Sequence, residues 1–199
     1  FSTWLKGEIE SRFGVPVRYV LYSHHHWDHV SGGAVFEDTA TFIGHENMLP
    51  NLERAGDEFA EVRPPDETFR DEMTVTLGGQ EARLIHVGSM IHTDDMSAIL
   101  FPGERAVFVV DFITTGRLPF IGYFPEFVER GVSPVDLDSW LNAIRVIEML
   151  DVDVVTPGHG SIGTVADITE HRHYLEDLRN TVAAGIERGD SLEEIQSAV

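Results

Sequence analysis

The chain has 199 residues, of which 42% are hydrophobic, and a formal net charge of −20 at pH 7. That length fits one domain, and the sequence has no run of about 18 apolar residues that would predict a membrane span. The acidic excess argues against a nucleic-acid partner, because nucleic-acid binding depends on basic patches. The absence of cysteine excludes disulfides and thiolate metal sites, and it leaves the compartment open between cytoplasm and periplasm.

The first third of the chain predicts helices and strands in alternation. Ser2 is the predicted N-cap of a helix over residues 3–13, with Leu5, Ile9 and Phe13 on one face. The elements predicted after this helix are a strand over residues 15–22, a strand over 39–44, a short helix over 46–55 and an acidic surface loop over 57–71.

The rest of the chain predicts two hairpins and then a mainly helical part. Gly78 and Gly79 lie in the first predicted turn, and Pro102 and Gly103 lie in the second. The segment 112–131 is aromatic and rich in Gly and Pro, which predicts a long loop near a functional site. The other predicted elements are strands over residues 73–77, 82–87, 96–101, 106–110 and 152–156 and helices over 133–150, over 166–188 and from 192 onward.

The most informative stretch is residues 23–33, which carry a dense group of metal-ligand side chains. Imidazole nitrogens and carboxylates are good ligands for zinc and similar cations. A strand precedes the group and Gly32-Gly33 follows it, so it is predicted on a loop, where side chains can converge on one point. A purification tag would instead lie at a terminus. The group consists of His24, His25, His26, Asp28 and His29.

The spacing His24-x-His26-x-Asp28-His29 resembles the hallmark of the metallo-β-lactamase superfamily. The family pattern requires three further ligands at strand ends, in the order His, Asp, His, and this chain has His92, Asp111 and His159 at such positions. By resemblance, His24, His26 and His92 hold a first metal, while Asp28, His29 and His159 hold a second. The resemblance also implies that Asp111 bridges the two metals and that Asp28 takes part in catalysis.

The resemblance covers about residues 15–163 and implies an α/β fold, the four-layer αβ/βα sandwich of two mixed β-sheets flanked by helices. It implies two zinc ions per chain, with iron or manganese as alternatives, and a metal-bound hydroxide that attacks a small ester, thioester, lactone or β-lactam. The family has several strands before the His-rich loop, whereas only a helix and one strand precede it here. We therefore expect a single domain over residues 1–199 that lacks its N-terminal strands or has a reduced first sheet.

Two other functions stay open. One is a mononuclear iron enzyme similar to persulfide dioxygenases, and the other is a non-catalytic module that binds metal. The flavin-linked di-iron branch of the superfamily is disfavoured, because its members usually have Glu where His26 stands. The best-known β-lactamase class is disfavoured too, because it has Cys at the place of Asp111. The expected partner is a small-molecule substrate; the sequence leaves the oligomeric state unknown.

Specificity is expected to come from the loop after Asp111. Arg117 is a candidate partner for a substrate carboxylate, and the aromatic side chains are candidates for an apolar wall. The alternative is that these rings only pack the loop onto the core. The aromatic candidates are Trp27, Phe120, Tyr123 and Phe124.

The remaining histidines are expected to have other roles. His25 should point away from the metals, and His45 should belong to the start of a helix. His86 is expected in the core or beside a ligand, while His171 and His173 are expected in solvent. Asp94 and Asp95 follow His92 and are expected to cap a turn or to contact a ligand histidine.

Overall fold

The structure is a computed structural model that describes residues 1–88, 92–118 and 137–198. The described residues form an α/β protein whose internal contacts divide it into two compact units. Unit 1 contains residues 1–88 and 93–109, and unit 2 contains His92, residues 110–118 and residues 137–198. The prediction of a single domain over residues 1–199 stays a prediction.

Unit 1 contains a parallel three-stranded sheet in the order β1-β2-β3. Parallel neighbours need a crossover between them, and short helices supply it at both connections. The His-rich loop follows the carboxyl end of β1 and is therefore part of the first crossover. The elements are α1 (Ser2–Phe13), β1 (Tyr19–Leu21), α2 (Trp27–Val30), a 3₁₀ turn (Gly33–Phe36), β2 (Thr41–His45), α3 (Met48–Ala55), a second 3₁₀ turn (Gly56–Phe59) and β3 (Glu67–Phe69).

The second sheet of unit 1 is an antiparallel meander of β4 (Glu72–Leu77), β5 (Gln80–His86), β6 (Ser97–Phe101) and β7 (Ala106–Val109). Leu77 pairs with Gln80, so Gly78 and Gly79 alone form the first turn. Both glycines have positive φ, 62° and 84°. Tight two-residue hairpins require this conformation, and glycine adopts it without a steric cost.

The core of unit 1 is organised around β2, where consecutive side chains point to opposite faces. Phe42 and Ile43 are both almost fully buried, and they belong to different apolar clusters. The parallel sheet therefore has an apolar layer on each face. The first cluster contains Tyr22, Val30, Phe36, Phe42, Met48 and Val62, and the second contains Ile43, Phe69, Val75, Leu84 and Ile99.

Unit 2 is mainly helical in its described part, with α4 (Leu137–Glu148), β8 (Val154–Pro157), α5 (Val165–Arg188) and α6 (Leu192–Ala198). A capping box of Thr164 and Asp167 begins α5, and Gly189 in the left-handed conformation ends it. Arg172 on α5 donates to Glu148 on α4 and to Glu176 one turn along its own helix. The buried face of α4 consists of Trp140, Leu141, Ala143, Ile144 and Ile147.

Most predicted elements are confirmed, including both hairpins, but several boundaries are wrong. Ser2 is already helical rather than the N-cap, and α1 has no buried residue. The first strand is limited to Tyr19–Leu21. The acidic segment 57–71, predicted as loop, contains β3, which pairs with β2. The predicted start of the helix over 133–150 lies outside the described residues.

Across residues 1–88, 92–118 and 137–198, no helix is both long and apolar enough to cross a lipid bilayer.

Candidate metal centre

In unit 1, the His-rich loop is fixed where it leaves the sheet. The backbone N–H of Tyr22 donates to Ile43 C=O at 2.9 Å, and Ser97 N–H donates to Ser23 C=O at 2.8 Å. His24, the next residue, is 1% exposed, and its Nδ1 lies 3.2 Å from the hydroxyl oxygen of Ser23. The two residues before the first candidate ligand are therefore fixed by backbone hydrogen bonds, and its ring is in contact with the Ser23 hydroxyl.

The other loop ligands lie close to His24 because α2 begins immediately after His26. The ring centroids of His26 and His29 are 4.5 Å and 4.7 Å from that of His24. His29 Nε2 is 3.1 Å from Asp28 Oδ2, and the Asp28 side chain is 56% exposed. Unit 1 thus brings together all four loop residues that the spacing predicts.

In unit 2, Asp111 lies between the two other predicted histidines. Asp111 Oδ2 is 3.1 Å from His92 Nε2, and Asp111 Oδ1 is 3.5 Å from His159 Nε2. The carboxylate therefore presents a different oxygen to each histidine. Its side chain is 11% exposed, whereas that of His159 is 51% exposed.

The backbone at Asp111 is in a conformation that few non-glycine residues adopt. Its φ is +63°, and the N–H of Phe112 donates to Val110 C=O at 2.7 Å, which closes a three-residue turn around Asp111. Turns of this kind cost energy and are concentrated at functional sites. Trp140 Nε1 donates to Phe112 C=O at 2.6 Å and so holds the turn from α4.

The loop that carries His159 is fixed through Gly160 and Gly163. Gly160 has φ +118° and forms a bridge with Thr115, whose hydroxyl donates to Ser161 C=O. Gly163 exchanges two backbone hydrogen bonds of 2.9 Å with Val155. A side chain at Gly160 would be strained by φ and would lie 3.1 Å from the carbonyl oxygen of Thr115.

The donor set fits a divalent metal. In tetrahedral zinc sites with ligands at about 2.0–2.1 Å, two ligand atoms lie about 3.3 Å apart. The observed separations are 3.1 Å for His29–Asp28, 3.1 Å for His92–Asp111 and 3.5 Å for His159–Asp111. Imidazole and carboxylate are also ligand types that zinc, iron and manganese accept. Each unit therefore contributes His and Asp side chains whose donor atoms are spaced as the ligands of one metal are.

His25 and its neighbours differ from the loop ligands. The Nδ1 of His25 is 3.0 Å from the carboxylate of Asp95, which is 1% exposed. Asp94 instead accepts a 2.7 Å bond from the amide of Asn51. The Asp95–His25 contact could not be predicted from the sequence, because the two residues are far apart in the chain.

Two predictions for the other histidines are wrong. His45 ends β2 rather than beginning a helix; it is 3% exposed, and its ring stacks on that of His86 at 3.8 Å. His171 is 6% exposed rather than solvated, and its Nδ1 is 3.3 Å from Thr114 Oγ1. Burial lowers the pKa of His171 to about 4, against weaker opposing effects of the Thr114 and Phe112 backbone. His173 is exposed, as predicted.

The predicted substrate pocket is only partly described. In unit 1, Trp27 is 46% exposed and packs edge-on against Phe59 at 5.6 Å. In unit 2, Arg117 is exposed beside a cleft of about 320 Å³ that Glu170 and Tyr174 also line. The other candidates, Phe120, Tyr123 and Phe124, lie outside the described residues.

The start of the predicted specificity loop does not behave as a flexible wall. Phe112 and Ile113 are 0% exposed, and Thr114 and Thr115 are 5% and 4% exposed. This part of the segment 112–131 is thus packed into unit 2.

Both the fold and the ligand types define a class of α/β metal-binding proteins, and comparisons with known proteins give the family. The family model of the metallo-β-lactamase superfamily matches residues 4–159. The chain belongs to this superfamily, and the predicted metallo-β-lactamase fold is confirmed.

Solved structures show the same fold at low sequence identity. A metallo-β-lactamase from Pontibacter korlensis superposes with a TM-score of 0.71 and 22% identity, over 87% of this chain and 76% of that one. A metallo-β-lactamase from Hirschia baltica superposes with a TM-score of 0.66 and 16% identity, over 86% of this chain and 74% of that one. At such identities, the likeness concerns the fold alone.

A curated relative is the 2,4-dinitroanisole O-demethylase subunit alpha of Nocardioides sp. (strain JS1661). It is 30% identical over 146 residues, which cover 72% of this chain and 40% of the relative. The chain therefore spans about two fifths of the length of this relative.

Proposed function

We propose that the protein is a dinuclear, zinc-dependent hydrolase of small molecules. His24, His26 and His92 would hold the first metal, Asp28, His29 and His159 the second, and Asp111 would bridge them. The observation that carries this proposal is the position of Asp111 in unit 2, with one carboxylate oxygen toward His92 and the other toward His159. Such a division of its oxygens suits a carboxylate shared by two metals.

The local packing supports this division of roles. The Ser23 hydroxyl beside Nδ1 of His24 leaves Nε2 as the ligand atom of that ring. The turn that carries Asp111 is held by the hydrogen bond from Trp140 to Phe112 C=O, so the backbone of the turn fixes where the short Asp111 side chain lies. Metals bound here would polarise the substrate carbonyl and lower the pKa of water to about 7, which provides a nucleophile near neutral pH.

We assign the catalytic role among the ligands to Asp28. Its side chain is 56% exposed, so it can reach both solvent and substrate, unlike the almost fully buried His24. An exposed carboxylate can accept a hydrogen bond from the attacking water and orient it toward the substrate.

The substrate class that this chemistry fits is a small ester, thioester, lactone or β-lactam. A second candidate is an activated aryl methyl ether, since the curated relative is named a 2,4-dinitroanisole O-demethylase subunit. In that reaction the oxygen of water would replace the methoxy group on the ring, and the methoxy group would leave as methanol. Only the second candidate substrate would imply a partner subunit, because the relative that suggests it is named a subunit alpha.

The test combines metal analysis with a substrate panel. Protein purified in zinc-containing medium should hold about two equivalents of zinc and should hydrolyse at least one member of a panel of aryl esters, thioesters, lactones, a chromogenic β-lactam and 2,4-dinitroanisole. Zinc near zero in metal-replete medium would refute the proposal. Iron near one equivalent, with oxygen consumption on a persulfide, would instead favour the iron-dependent alternative.

A pair of variants tests the assignment of the second metal. His159→Ala should lower zinc content toward one equivalent and kcat by at least about a hundredfold, because it removes a ligand. His173→Ala, which removes another exposed histidine of unit 2, should change neither. Equal zinc content in the two variants would contradict the role of His159.

A further inference from the structure

A buried carboxylate in unit 1 contacts the His-rich loop without belonging to the predicted ligands. The Asp95 side chain is completely buried, and its Oδ1 accepts hydrogen bonds from His25 Nδ1 at 3.0 Å and from the Thr93 hydroxyl. A buried carboxylate is costly unless it is well hydrogen-bonded, so these donors are needed to keep it there.

Asp95 holds the orientation of the His25 ring. Its Oδ1 lies 3.0 Å from His25 Nδ1, and because a carboxylate oxygen accepts, this ring nitrogen is the donor in the contact. The Asn51 amide lies 3.4 Å from the same nitrogen but makes its shorter bond, 2.7 Å, to Asp94.

The contact with His25 acts on the loop at a sensitive place. His25 lies between His24 and His26 in the chain, so its orientation constrains the two peptide planes that carry those ligands. Its ring also lies 4.7 Å from the ring of His26, in an edge-on arrangement. Two residues after Asp95, Ser97 N–H binds Ser23 C=O. The segment from Asp95 to Ser97 thus holds the loop at two neighbouring points.

We propose that Asp95 is a positioning residue for the metal centre, and that it acts through His25 to direct His24 and His26. This inference depends on the proposed function, because it assumes that His24 and His26 bind a metal. Removal of a hydrogen-bonding partner behind metal ligands typically weakens metal affinity by about tenfold to a hundredfold. Asp95 is therefore expected to affect metal affinity without touching a metal itself.

The experiment measures zinc affinity of the full chain by competition with a chromogenic chelator. Cobalt(II) substitution is followed in parallel by visible absorption. Asp95→Ala and His25→Ala should each weaken the tighter zinc site by about tenfold to a hundredfold and shift the cobalt spectrum. The double variant should lose no more zinc affinity than the single variant with the larger loss, because Asp95 acts through His25. Asp94→Asn is the matched control, since its side chain bonds Asn51 instead, and it should keep wild-type affinity.

Three results would overturn the inference. The first is unchanged zinc affinity in folded Asp95→Ala, even if its metal-free form unfolds at lower urea, since Asp95 would then have only a structural role. The second is an additive loss in the double variant. The third is an equal loss in Asp94→Asn. If Asp95→Ala does not fold, folded His25→Ala decides in its place, and unchanged zinc affinity in that variant would overturn the inference. Zinc binding by the wild-type protein is measured first, because its absence would refute the proposed function itself.

Discussion

The burial of His171 in unit 2 should make the metal-free protein lose stability between pH 7 and pH 5. Burial lowers the pKa of this imidazole from 6.5 to about 4. An unfolded His171 takes up a proton near pH 6.5, whereas the folded one does so only near pH 4. The contribution of neutral His171 to the free energy of unfolding is therefore fully present above pH 6.5 and is lost as the pH falls toward 4.

The size of this loss follows from the two pKa values. With 6.5 for the unfolded state and about 4 for the folded state, the free energy of unfolding falls by about 2 kcal/mol between pH 7 and pH 5. His171 is 6% exposed, so solvent screening reduces this figure little. Other groups also titrate in this range, and a variant is needed to separate their contribution.

The assay is urea unfolding of metal-free protein at pH 7 and pH 5, which avoids the titration of bound metal ligands. His171→Gln removes the titrating group but keeps a polar side chain near the Thr114 hydroxyl. The variant should lose about 2 kcal/mol less than wild type between the two pH values. His173→Gln, an exposed histidine on the same helix, should behave as wild type. An equal pH dependence in wild type and His171→Gln would refute the reasoning.

Three further predictions concern the site. Gly160→Ala should lower kcat at least about tenfold, because φ +118° is strained for alanine and the backbone would shift and displace the neighbouring His159. Steady-state kinetics on an accepted ester would measure this loss, and an unchanged kcat would contradict the prediction. Dialysis against a strong chelator should abolish hydrolysis, and added zinc should restore it, when activity is assayed before and after dialysis. Activity in protein from which all metal has been removed would exclude the metal-dependent mechanism. Alanine at Phe120, Tyr123 and Phe124 together should lower kcat/KM more for bulky than for small substrates at constant zinc content. An equal loss for all substrates would mean that these rings only pack the loop.

The features predicted best from the sequence are those that depend on residues close together in the chain. Gly78-Gly79-Gln80-Glu81 between two apolar runs predicts a hairpin, and β4–β5 confirm the hairpin, although Leu77 pairs with Gln80 and the turn itself is limited to Gly78 and Gly79. The spacing from His24 to His29 likewise identified the family, because four ligands on one short loop leave little freedom in where their side chains can meet. The ligand assignments themselves stay a prediction until metal binding is measured.

What the sequence could not predict depends on long-range packing. Residues 67–69 follow an acidic, proline-containing segment, and they form a strand because β2 offers them a parallel edge. His171 lies on a helix with polar neighbours, yet the helix turns it toward Trp140 and Thr114. Asp95 is 70 residues from His25 in the chain, so only the fold reveals their contact.

The three-residue turn at Asp111 implies that this protein is not optimised for its own stability. A residue held at φ +63° in such a turn costs on the order of 1–3 kcal/mol, and glycine would remove most of that cost. A directed-evolution campaign that selected only for thermal tolerance would therefore tend to replace the carboxylate that contacts both His92 and His159. Engineering of a more robust variant should leave position 111 unchanged and seek its gains in exposed elements such as α1, which buries no residue.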